Sequence, residues 1–112
     1  MTDEELVDAL KALAHPVRLR IMQALSGTER NVGEIDDAAD IGQPTLSQQL
    51  AVLRNSGLVK TRKDAKLVYY RIDEGKLAQV VDATQALGPS QNSSARPSKQ
   101  PASGVANFAR LG

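Results

Sequence analysis

The chain has 112 residues, 41% of them hydrophobic but only three aromatic, enough for one domain whose core rests on Leu, Val, Ile and Ala. It contains no cysteine, which excludes disulfides, thiolate metal sites and thiol redox chemistry, and no apolar run approaches the roughly 20 residues that cross a bilayer. With its acidic start, MTDEEL, it reads as a cytoplasmic protein without a signal peptide or membrane span, and a net charge of +1 excludes a uniformly basic or acidic surface.

In chain order, Leu6, Val7, Leu10, Leu13 and Ala14 form an apolar stripe on a first helix that begins near Thr2, with Asp3, Glu4 and Glu5 in the turn where the helix dipole favours anions. His15-Pro16 ends it. Pro16 suits the first turn of a second helix running through Leu25, with Val17, Ile21, Met22 and Leu25 as core positions, and Ser26-Gly27 breaks the chain. Asn31 followed by Glu34 is a capping-box variant that starts a short third helix to about Ala39. Ile41-Gly42 makes the next turn, and Gly42 is an acceptable N-cap for a fourth helix with Gln43 and Pro44 in its first turn. Gly57 stops that helix near Ser56. Leu58–Arg62 and Leu67–Ile72 then read as two strands flanking a lysine-bearing tip, Lys63-Asp64-Ala65-Lys66, which lacks the Asn-Gly of the strongest hairpin turns. A fifth helix from Asp73 or Glu74 to about Leu87 presents Leu77, Val80, Val81, Thr84 and Leu87 on one side.

The fold class is therefore mainly α with a small β-hairpin: five helices plus a two-stranded wing, in the order of a winged helix-turn-helix, over residues 1–87. Residues 88–112 are rich in Ser, Pro, Gly, Asn and Gln, and are expected to form a disordered tail; a short docking motif of Phe108, Arg110 and Leu111 is the less favoured alternative.

Charge is distributed unevenly along the chain. From Asp3 to Asp40 nine acidic residues face four basic ones, whereas from Ile41 to Ile72 six basic residues are opposed by Asp64 alone. In the fourth helix Leu46, Leu50 and Leu53 share one buried stripe, which turns Thr45, Ser47, Gln48 and Ala51 outward. Short polar side chains of this kind can read base-pair edges in the major groove, and lysines and arginines beside them can hold phosphates.

The blocks LAHPVRLRIMQAL (Leu13–Leu25) and IGQPTLSQQLAVLRNSGLVKTRKDAKLVYYRI (Ile41–Ile72) closely resemble the arsenic-repressor (ArsR/SmtB-type) family of bacterial transcriptional regulators, over roughly residues 5 to 85. Within that family, QPTLSQQL is most similar to a branch with sulfide- or persulfide-responsive members. The resemblance implies a homodimer that binds double-stranded DNA at an inverted repeat and represses transcription until a signal releases it. Carried over, Gln43–Asn55 is the recognition helix, with Gln43, Thr45, Ser47 and Gln48 as groove contacts. Gln49, where many members have histidine, faces either a phosphate or the scaffold helix. Arg54, Arg62, Lys63 and Lys66 supply phosphate or minor-groove contacts.

The sensor positions depart from the family. Asn31, Val32 and Gly33 occupy the place of a metal-binding Cys-Val-Cys, Gln23 stands where the persulfide-responsive members have a cysteine, and the single histidine, His15, reads as a helix-junction residue. No metal, cofactor or known effector is expected, and the inducing signal is left open. The first and last helices each carry an apolar stripe, so Leu6, Leu10, Leu13, Leu77, Val80, Val81 and Thr84 are the expected dimer interface, which would set two recognition helices about one DNA turn, roughly 34 Å, apart. The alternative function is a winged-helix module that docks onto protein, although such a face should expose aromatic or apolar anchors. An enzyme is not expected, since no nucleophile stands beside a base and no carboxylate pair or glycine-rich phosphate loop is present.

Overall fold

A computed structural model describes residues 1–89. The expected tail and its Phe108-Arg110-Leu111 motif, from residue 90 onward, lie outside the described residues. Helix α1 (Asp3–Leu13) opens with a full capping box: Thr2 Oγ1 accepts from the Glu5 N–H at 3.1 Å and the Thr2 N–H donates to Glu5 Oε1 at 2.7 Å. That bond from the Thr2 backbone holds the Glu5 carboxyl below its ordinary pKa. Helix α2 (Pro16–Ala24) has Pro16 in its first turn and His15 as N-cap, whose Nδ1 accepts from the Val17 N–H at 3.2 Å. The helix-junction reading of His15 therefore holds.

Strand β1 (Arg30–Asn31) leads directly into α3 (Val32–Ala39), where Asn31 and Glu34 form the expected reciprocal cap. Helix α4 (Thr45–Asn55) precedes strands β2 (Val59–Asp64) and β3 (Leu67–Ile72), and α5 (Glu74–Gln85), capped by Asp73, closes the domain. The sheet is antiparallel in the order β1-β3-β2, with Arg30 opposite Tyr70 and Val59 opposite Ile72. The sequence called for two strands. The third is only two residues long, too short for any periodicity to announce it, and exists through its pairing with β3.

Ile21, Leu25, Ile35, Leu46, Leu50, Leu53 and Leu58 are fully buried at the centre, so the α4 stripe lies where its spacing put it. Helix α1 departs from expectation. Its buried residues are Ala9 and Ala12, Leu6 and Leu13 lie half-buried at the edge of the core, and Val7 and Leu10 face outward. Small residues on this face let α1 pack closely against α2 and α5.

Two turns also differ. Helix α4 begins at Thr45, because Gly42 takes a left-handed φ of +84°, outside the extended range of an N-cap. The missing cap is replaced from nearby: Gln43 Oε1 accepts from the Ser47 N–H at 3.1 Å, and the Gly42 carbonyl accepts from Leu46 N–H at 2.9 Å. At the wing, Lys63 and Asp64 pair with Val68 and Leu67, which shortens the tip from four residues to Ala65-Lys66. Ala65 holds a φ of +57°, a region glycine occupies more readily.

Candidate nucleic-acid interface

The turn between α3 and α4 fixes how α4 is presented. Asp40 ends α3 in a left-handed conformation, and one carboxylate oxygen of Asp36 accepts both the Ile41 N–H at 3.1 Å and the Gly42 N–H at 2.8 Å. Arg20 of α2 donates to the Ala39 and Asp40 carbonyls on the same turn. With Leu46, Leu50 and Leu53 in the core, α4 exposes Ser47, Gln48, Ala51, Val52, Arg54 and Asn55, with Gln43 exposed in the turn before it and Thr45 half-buried at the border. The Gln43 amide oxygen is occupied by its capping bond, which leaves its NH2 group to donate outward.

Of the two readings of Gln49, phosphate or scaffold helix, the structure shows the second. It is half-buried, and its Oε1 accepts from an Arg18 guanidinium nitrogen at 2.7 Å, so it faces the scaffold helix. Arg18 also donates to the carbonyls of Ala12 at 2.6 Å and Lys11 at 3.2 Å, joining the end of α1 to the recognition helix. Sequence reading passed over Arg18, although its spacing with Ile21 and Leu25 sets it on the buried side of α2.

The wing sorts its cations by strand parity. Lys60, Arg62 and Asp64 share one face of β2 with Arg71 and Tyr69 across on β3, while Thr61 and Lys63 lie on the opposite face. Every cation of the first face is matched. Lys60 lies 3.8 Å from Asp73, Arg62 donates to both Glu29 carboxylate oxygens at 2.9 Å, and Arg71 approaches Glu29 at 3.8 Å. Arg62 further lies 3.7 Å from Asp64 and stacks over the Tyr69 ring at 4.8 Å. The bond from Arg62 lowers the Glu29 pKa, and the same bond raises that of Arg62. Arg62, expected at a phosphate, has its charge engaged with Glu29 in this structure while its side chain stays about half exposed. Lys63, Lys66 and Arg54 are exposed, and among the described residues none has an ion-pair partner.

The expected dimer residues divide in the same way. Val81 and Leu10 are exposed, Leu6, Leu13, Leu77 and Thr84 are half-buried, and Val80, 3% exposed, belongs to the core of the domain. Val7 and Leu87, absent from the expected set, are also exposed apolar residues of these two end segments. Among the described residues no group of three His, Asp or Glu side chains could hold a metal ion, and no helix is long and apolar enough to cross a membrane.

Comparison with known proteins gives consistent matches. The family described as "Bacterial regulatory protein, arsR family" matches residues 15–61. A biofilm growth-associated repressor of Xylella fastidiosa is 49% identical over 83 residues, spanning 74% of this chain and 73% of the relative. A repressor of the same description from Agrobacterium fabrum is 47% identical over 90 residues, 79% of this chain and 77% of the relative. Among solved structures, the transcriptional repressor BigR from Xylella fastidiosa aligns with a TM-score of 0.62 at 46% identity, covering 81% of this chain and all of that one.

Proposed function

Since the chain belongs to the arsR family of bacterial regulatory proteins, DNA-binding regulators built on the winged helix-turn-helix, we propose that it represses transcription as a homodimer bound to an inverted-repeat operator. The observation that carries this reading is the run of exposed polar residues Gln43, Ser47, Gln48 and Asn55 along α4 and the turn before it, interrupted by Ala51 and Val52, together with the charges of Arg54, Lys63 and Lys66, which have no ion-pair partner among the described residues. Gln43, Thr45, Ser47 and Gln48 read base edges, and the three cations hold phosphates. The names of the Xylella and Agrobacterium relatives support repression as the sign of the effect.

The exposed residues Val7, Leu10 and Val81, flanked by half-buried Leu6, Leu13 and Leu77, supply an apolar face on α1 and α5 that a second copy would cover. A two-fold axis there sets both recognition helices on one side of the duplex, and the operator inherits that symmetry. The chain lacks the cysteines of the family's thiol and thiolate-metal sensors, so release follows another signal or the protein's own concentration.

Fluorescence anisotropy against the protein's own upstream duplex and a scrambled duplex, with sedimentation to weigh the species, tests the reading. Saturable binding to the native duplex by two chains, at least tenfold tighter than to the scrambled one, is the expected result. Equal weak binding to both, or binding by a single chain, would overturn it. A promoter fusion that loses signal when the protein is supplied checks the sign.

A further inference from the structure

We propose that Glu29 is a specificity-determining residue: it withholds the charges of Arg62 and Arg71 from DNA, so that affinity for duplex of any sequence stays low and the base contacts of α4 carry more of the binding. The inference rests on the DNA-binding reading and deepens it.

Glu29 sits in the segment between α2 and β1, distant in sequence from the wing it engages. Its two oxygens meet the Arg62 Nε at 2.9 Å each, a terminal nitrogen of Arg62 at 2.7 Å and Arg71 at 3.8 Å. A guanidinium held by two parallel bonds to a carboxylate is fixed in direction as well as in charge, and stacking on Tyr69 from the same strand pair fixes it further. Arg62 nonetheless stays about half exposed, its side chain 48% accessible, and lies three positions before Ala65, where the two-residue tip begins. It is thus open to solvent but already satisfied, and freed from Glu29 its long side chain could swing toward a phosphate.

The wing does not need Glu29 to keep its shape. Strand β3 is held on one side by all six pairs with β2 and on the other by β1. A merely structural role and a restraining one therefore predict opposite effects on DNA binding. Each phosphate neutralised adds about 0.9 to the slope of log affinity against log salt. Lifting one arginine onto a phosphate should then make the variant's advantage over the parent shrink by roughly threefold between 50 and 200 mM salt.

The test is anisotropy of full-length parent, Glu29→Gln, Arg62→Ala, the double variant and Lys63→Ala on a 30-base-pair random duplex at those two salt concentrations. The expected result is tighter binding by Glu29→Gln with that steeper salt dependence, little change for Arg62→Ala alone, and loss of the gain in the double variant. Unchanged or weaker binding by Glu29→Gln, or a loss from Arg62→Ala in the parent background as large as from Lys63→Ala, would overturn the inference while leaving the DNA-binding reading in place. A parent that binds no duplex would overturn both.

Discussion

Arg18 offers the sharpest test of how the scaffold holds the recognition helix. At the end of α1 the Ala12 carbonyl would ordinarily accept from the residue four positions on, but that residue is Pro16, which has no N–H. The Arg18 Nε takes the donor's place at 2.6 Å, the same guanidinium reaches Lys11 at 3.2 Å, and it binds Gln49 on α4 at 2.7 Å. Replacing Arg18 by Met keeps the aliphatic stem and removes all three bonds. Leaving a shielded carbonyl without a partner costs about 1 to 2 kcal/mol, and losing a charged bond to Gln49 at a partly wet site adds about 1, for a total of about 2 to 3 kcal/mol. In a domain of this size that is a fall in Tm of roughly 8 to 24 °C, measured at one fixed protein concentration because dimerisation would also shift it. A cycle with Gln49→Leu isolates the helix-to-helix bond, with an expected coupling of about 1 kcal/mol. A Tm within about 2 °C of the parent, or no coupling, would refute the account of Arg18 as the tie between α1 and α4.

Further predictions concern the recognition face, the wing and acid. Gln48→Ala should weaken operator binding by roughly tenfold with little effect on random duplex, whereas Lys63→Ala should weaken both and reduce the salt slope by about 0.9; anisotropy on the two duplexes separates these roles. Ala65→Gly relieves a left-handed alanine at the wing tip, and the gain of about 1 kcal/mol exceeds the added freedom of the unfolded chain, so Tm should rise by roughly 2 to 4 °C. Glu29 has a lowered pKa, so the stability it contributes is present above the ordinary carboxylate value of 4.5 and is lost as pH falls through its lower folded value. The difference in Tm between the parent and Glu29→Gln should therefore close as pH drops through that window, and a difference independent of pH would contradict the pairing.

Features that depend on neighbours in sequence were legible in the chain. The Asn31–Glu34 cap, the Pro16 start and the Leu46-Leu50-Leu53 stripe each act within a few residues, and each is found as read. What escaped reading depends on contacts across the fold. Leucines outnumber alanines on α1 in hydrophobic weight, yet Ala9 and Ala12 are the buried positions, because close approach of α5 selects for small volume and not for hydrophobicity. Glu29 reads as one acidic residue in an acidic half until β3 brings the wing alongside it. Likewise Arg62 and Lys63 are adjacent basic residues in sequence, and only the pleat assigns them to opposite faces with opposite electrostatic fates.

That alternation limits how the wing can change length. Because the two-residue tip sets the register between β2 and β3, one residue added between Arg62 and the tip would carry the side chains beyond it to the other face and break the pairing of Asp64 with Leu67. Two residues added to each strand would restore the facing while moving the lysines outward by about 7 Å. Insertions tolerated in this hairpin should therefore come in even numbers per strand, and the wing's reach along a duplex should be adjustable only in discrete steps.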